Sequence, residues 1–159
     1  MTTWKLLVLV LALVSTACSA DKYSTDFDAS SLSADLLVVV QDAADQWCES
    51  TKGVCCPTLS TASKNKIVVS SLSDRAGNTS LHEGVTTITI RDTHASDLVY
   101  AGRIARHEFG HACRAAVVGE LEQQNMTEDG HVMSKNDAVQ PAYITDADIE
   151  YVGGTVTKD

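Results

Sequence analysis

The sequence lacks any stretch long enough to cross a membrane. Its longest uninterrupted apolar run, Leu6–Val14, has nine residues, against the roughly 20 that a spanning helix needs. It also lacks a basic footprint: 12 Lys and Arg stand against 21 Asp and Glu, for a formal net charge of −9. Nucleic-acid binding needs a basic patch or stripe, so that class of partner is excluded. The acidic balance suits cationic substrates electrostatically, although most such surfaces serve solubility. Five cysteines are present, but none are spaced C-x-x-C, which speaks against a structural zinc site built from thiolates. No internal repeat is visible, so a solenoid or array is not expected.

What is present begins with a leader. Lys5, the Leu6–Val14 run and the small residues Ser15-Thr16-Ala17 before Cys18 describe a secretory signal over residues 1–17. The ending Ala17-Cys18 resembles the lipobox of bacterial lipoproteins, in which the cysteine becomes the lipidated first residue. Cys18 is therefore the candidate lipidation site and membrane anchor, in a protein of the cell envelope. Plain secretion is the alternative, because Ser15 stands where Leu or Val is usual. Residues 18–31, polar and rich in Ser and Asp, read as the lipidated N-terminus and a flexible tether. Residues 32–159 read as one domain; without the leader the chain has 142 residues and 11 basic against 21 acidic side chains, a net −10. Cys48, Cys55, Cys56 and Cys113 then remain, an even count that suggests disulfides outside the cytoplasm. Adjacent Cys55 and Cys56 are too close to pair with each other. Cys48 is expected to take one of them and Cys113 the other.

The chemistry-bearing stretch is His107-Glu108-Phe109-Gly110-His111. On a helix turning about 100° per residue, the two histidines lie roughly 40° apart with Glu108 beside them. Two imidazoles at that spacing can share one tetrahedral Zn²⁺, with nitrogens about 2.0–2.1 Å from the ion. Zinc lowers the pKa of a bound water to about 7, and the intervening carboxylate can take its proton. The spacing is the one a zinc peptidase requires. The competing bland reading is two ordinary histidines on an amphipathic helix.

Helical spacing of Leu32, Leu36, Val39, Val40, Ala43 and Trp47 predicts a scaffold helix ending near Cys48. Lys66–Ser70 is a short strand candidate, and Ser71–Gly84 reads as a connection. Val85–Arg91 is the strongest strand, with Thr86, Ile88 and Ile90 on one face. Thr93, Ser96 and Asp97 are N-cap candidates for the motif helix, and Gly119 is a suitable C′ residue. Thr145-Asp146-Ala147-Asp148 is a capping-box-like start of a short helix that Gly153 can end.

This order is α+β, and together with the motif it resembles the metzincin clan of zinc peptidases. His107–Ala112 looks like the first half of the clan's motif, Gly130-His131-Val132-Met133-Ser134 like its Met-turn, and Ile144–Ile149 like the start of its closing helix. The resemblance implies a small zincin fold: a mixed sheet, a backing helix, the motif helix and a short C-terminal helix. It also implies that Val85–Arg91 is the edge strand to which an extended peptide or protein substrate adds itself, and that Met133 supports the metal site from below. One departure is plain. The clan's motif continues with a glycine and a third ligand, and the corresponding positions hold Arg114 and Val117.

A catalytic zinc has three protein ligands and one open position, so the third ligand must come from elsewhere. The candidates are Glu120, Glu122 and His131. A helix continued to Val118 carries Gly119 about 12 Å beyond His111, and returning takes four or more extended residues at about 3.3 Å each. His131 has ample chain to return and is the favoured ligand, with Glu122 the alternative; a helix broken near Arg114 reverses that order. The expectation is a zinc metalloendopeptidase with one Zn²⁺ on His107, His111 and His131, and Glu108 as general base. The rivals are a gluzincin with its glutamate ligand on a later helix, a non-catalytic zinc-binding envelope lipoprotein and a metal-free interaction module.

Overall fold

The computed structural model describes residues 23–119, 121, 125–127, 129–135 and 141–156. The leader, Cys18 and Glu122 lie outside these residues. The order is β1 (Asp26–Phe27), α1 (Ala34–Ser50), β2 (Thr58–Leu59), β3 (Lys66–Ser70), β4 (Gly77–His82), β5 (Val85–Arg91), a 3₁₀ turn (Asp92–His94), α2 (Leu98–Val118) and α3 (Asp146–Tyr151). It is a mixed α+β fold, as the sequence implied.

Helix α1 begins where Ser33 caps the Leu36 amide, and it buries Leu36, Val40, Ala43, Ala44 and Trp47 along one stripe. That stripe packs on α2. The Trp47 indole N–H donates to the Arg106 carbonyl at 2.8 Å, and Val39 faces Gly102. Contacts thus advance along both helices in the same direction, so α1 backs the motif helix in parallel. Each large side chain fully buried in this way stabilises by about 1.5–3 kcal/mol.

The main sheet has the order β3-β5-β4. β3 pairs with β5 in parallel, and β4 pairs with β5 antiparallel. Val85–Arg91 is therefore the central strand, not the expected edge. Its alternation does hold, with Thr86, Ile88 and Ile90 buried. The edges are β3 and β4, and β4, the one beside the motif residue Glu108, was assigned to a connection by sequence reading. Gly77-Asn-Thr-Ser-Leu-His has little β propensity, and its strand form comes from pairing. The β4–β5 hairpin turns through Glu83 and Gly84, both at positive φ, the two-residue geometry whose twist suits flanking strands.

The expected tether is folded from Tyr23 onward. Phe27 is completely buried and meets Phe109 edge-to-face, with centroids 5.7 Å apart. β1 pairs in parallel with β2, and the Asn65 side chain donates to the Ser24 and Asp26 carbonyls. Two aromatics four apart, Tyr23 and Phe27, in a polar run set no strand or helix pattern of their own, so the packing was not visible in the sequence.

Two disulfides close the back of the helices, Cys48–Cys56 and Cys55–Cys113. The open choice between Cys55 and Cys56 is thereby resolved, and Cys113 points away from the histidines as the helix geometry required. Cys55–Cys113 spans 58 residues of sequence, a long closure that restricts the unfolded chain. Replacing both by Ala is expected to lower stability by about 2–4 kcal/mol. Urea denaturation checks this, and an unchanged midpoint would show that the bridge is mechanically idle.

Candidate metal centre

Asp97 caps α2 by accepting from the Tyr100 amide, and Gly119, in the left-handed region at φ 87, ends it. The helix runs through the motif without a break. His107, Glu108 and His111 are buried on the face that lines a cleft of about 360 Å³ beside β4. The two Nε2 atoms lie 3.2 Å apart. Two nitrogens on a tetrahedral zinc at about 2.0–2.1 Å are separated by about 3.3–3.4 Å, so the pair fits one ion.

The orientation of His107 is set from behind. Its Nδ1 lies 2.8 Å from the Val132 carbonyl, which can only accept. Nδ1 therefore carries the proton, and in the neutral ring Nε2 presents its lone pair to the cleft. Such an outer hydrogen bond fixes tautomer and ring orientation in metal-binding histidines. His111 meets the Tyr151 hydroxyl through Nδ1 at 3.4 Å.

Glu108 is held by the edge strand. The Thr79 hydroxyl donates to its Oε2 at 2.6 Å, and Gly77 makes room for it. A Cβ at position 77 would lie 2.6 Å from Glu108 Oε1 and 2.5 Å from Ile104 Cγ2. The glycine is there for close approach.

The turn beneath the helix hangs on α3. Asp148 is fully buried and accepts from the Val132, Met133 and Thr145 amides and from the Thr145 hydroxyl. Thr145 caps α3 in return, completing the expected capping box. Met133 is buried against α2 at Gly110, where a Cβ would collide with its sulfur and lie 2.9 Å from Trp47 Cζ2. Arg114, in place of the clan's glycine, donates to the Tyr151 carbonyl and stacks over the Tyr151 ring at 4.7 Å. It ties α2 to α3.

His131, the favoured third ligand, is not brought to the pair. The Thr145 hydroxyl gives its one proton to Asp148, so His131 Nδ1, 2.9 Å away, donates to that oxygen. The ring belongs to the Asp148 clamp and does not line the cleft. Among the described residues no three His, Cys, Asp or Glu side chains are grouped to hold a metal. Asn125 stands next to the pair instead, with Oδ1 3.1 Å from His107 Nε2. Sequence reading passed over Asn125, Thr79, Gly77 and Tyr151; only the liganding type of Asn125 and its return distance from Gly119 could have flagged it. Tyr143 is exposed and away from the cleft lining.

The cleft's charge opposes that of the whole chain. Arg75, Arg103 and Lys135 line it from three different segments, against Asp74 and Glu108. Asp74 pairs with Arg75 at 3.4 Å, and the hydrogen bond from Arg75 holds its carboxyl below the usual range. Arg103 sits one turn before His107 on the same helical face. No protein-family model matches the chain, and no curated protein or solved structure matches it either.

Asp148→Asn is expected to destabilise the fold by about 2–4 kcal/mol, because an amide cannot accept from donors on both oxygens. Urea denaturation measures this, and a loss below a few tenths would contradict the clamp.

Proposed function

We propose that the chain is a zinc-dependent metalloendopeptidase of metzincin-like fold. The observation that carries the reading is the convergence of His107 and His111 Nε2 at 3.2 Å, beside Glu108, in a cleft along a strand edge. Zinc held there would supply a Lewis acid that polarises the scissile carbonyl and acidifies the attacking water.

The rest of the chemistry belongs to the chain. His107 and His111 bind the ion, and the Val132 carbonyl keeps the His107 lone pair aimed at it. Glu108 takes the proton of the attacking water and delivers it to the leaving amine. Thr79 fixes the carboxylate so that one oxygen stays engaged while the proton moves. Among the described residues no strand pairs with the outer edge of β4, which supports an extended substrate bound by strand addition. Met133 backs the helix at Gly110 without entering the cleft. Arg103 and Lys135, with Arg75 paired to Asp74 beside them, favour acidic peptide segments in place of the cationic ones that total charge suggested. The two disulfides support an oxidising compartment, in keeping with export and an anchor at Cys18.

Glu108→Gln is expected to lower peptide hydrolysis by about 10²–10⁴-fold while one zinc per chain stays bound. Cleavage of a mixed peptide library, read by mass spectrometry beside zinc stoichiometry, checks this. Zinc binding with no Glu108-dependent cleavage would leave the non-catalytic zinc-binding lipoprotein. No zinc in the folded chain would leave the interaction module.

A further inference from the structure

We infer that Asn125 is the third protein donor to the metal ion, through its amide oxygen. The inference rests on the zinc reading above and completes its ligand set.

The argument starts from protons. The Val132 carbonyl accepts from His107 Nδ1 at 2.8 Å, so Nε2 of the neutral ring carries a lone pair and no hydrogen. That lone pair faces Asn125 Oδ1 at 3.1 Å, which is also an acceptor. Two acceptors at this distance match two donors to one cation; the reversed amide, which would donate Nδ2–H to Nε2 instead, is the competing arrangement that the Asn125→Asp variant separates. His111 Nε2 is the other neighbour of the same lone pair, at 3.2 Å. A cation held by His107 and His111 Nε2 and Asn125 Oδ1 accounts for both approaches. Both spacings fall within a few tenths of an ångström of the edge of a tetrahedron with zinc–donor lengths of about 2.0–2.2 Å.

The backbone next to Asn125 is anchored on the same turn. The amide of the next residue, Met126, donates to the Met133 carbonyl at 2.8 Å, and its carbonyl accepts from Lys135 at 3.1 Å. The turn that orients His107 through Val132 therefore also docks the segment carrying Asn125. The distance can be covered: five residues lie between Gly119 and Asn125, and four extended residues cover the about 12 Å of overshoot.

The donor type has a consequence. Imidazole suits zinc better than an amide carbonyl, which belongs with harder cations. Two histidines and an amide also leave the ion's full charge uncompensated. Zinc is thus held less tightly here than a carboxylate at position 125 would hold it.

The test is zinc affinity of the full chain by competition with a chromophoric chelator, with circular dichroism as the check on folding. Asn125→Asp is expected to tighten binding at least about tenfold and Asn125→Ala to weaken it at least about tenfold. The d–d absorption of the cobalt-substituted chain should change between wild type and Asn125→Asp, which a remote structural role would not produce. Should Asn125→Ala fail to fold, the near-isosteric Asp variant decides alone. Wild-type affinity in Asn125→Asp, with zinc still lost in His107→Ala, overturns the inference and leaves the zinc site standing. Failure of the folded wild type to bind zinc overturns the inference and the zinc reading together.

Discussion

The buried carboxylate of Asp148 accepts the amides of Val132 and Met133 and so fixes a turn that would otherwise be loop. The orientation of His107, the packing at Gly110 and the placing of Asn125 depend on that turn. Its Val132 carbonyl sets the His107 tautomer, its Met133 side chain fills the notch at Gly110, and its backbone docks Met126 beside Asn125. A charged acceptor out of water demands several donors, because each missing one costs its full desolvation. Three backbone amides and the Thr145 hydroxyl meet that demand, which is why the short α3 can act as a clamp. His131 is drawn into the same clamp through Thr145 and is thereby removed from the cleft.

A second constraint is the unbroken length of α2. With Arg114 and Val117 where a turn and a ligand would otherwise come, the helix runs two turns past His111 before Gly119 stops it. Arg114 uses the extra length to reach Tyr151, and Cys113 uses it for the bridge to Cys55. The chain must then double back to the histidines. Asn125, which stands beside the histidines, is six positions beyond Gly119, far enough along to cover the distance.

Much of this was legible in the sequence. Helix spacing located α1 and α2, β-branched alternation located β5 with its buried Thr86, Ile88 and Ile90, and the capping signature located α3. The elements it misassigned share one cause: their structure comes from partners, not from local pattern. β4 is polar and glycine-led and becomes a strand only against β5, while Phe27 anchors a Ser- and Asp-rich segment through one distant ring. At the site, the motif announced its own three residues because a helix fixes their spacing. The residues that hold them came from other segments: Thr79 from an unrecognised strand, Val132 through a carbonyl, and Asn125 from a loop searched only for acids and histidines. Total charge did not show the local balance, since the cleft collects Arg75, Arg103 and Lys135 beside Asp74 and Glu108 from a chain rich in acids.

The central claim, that His107 and His111 jointly hold zinc in a socket set by the Val132 turn, is tested most directly by crystallography of the zinc-soaked protein at the zinc absorption edge. The account expects one anomalous peak about 2.0–2.1 Å from both Nε2 atoms, with His107 Nδ1 still on the Val132 carbonyl. Zinc only at other positions, or a His107 ring turned away from Val132 with no peak between the histidines, would contradict it.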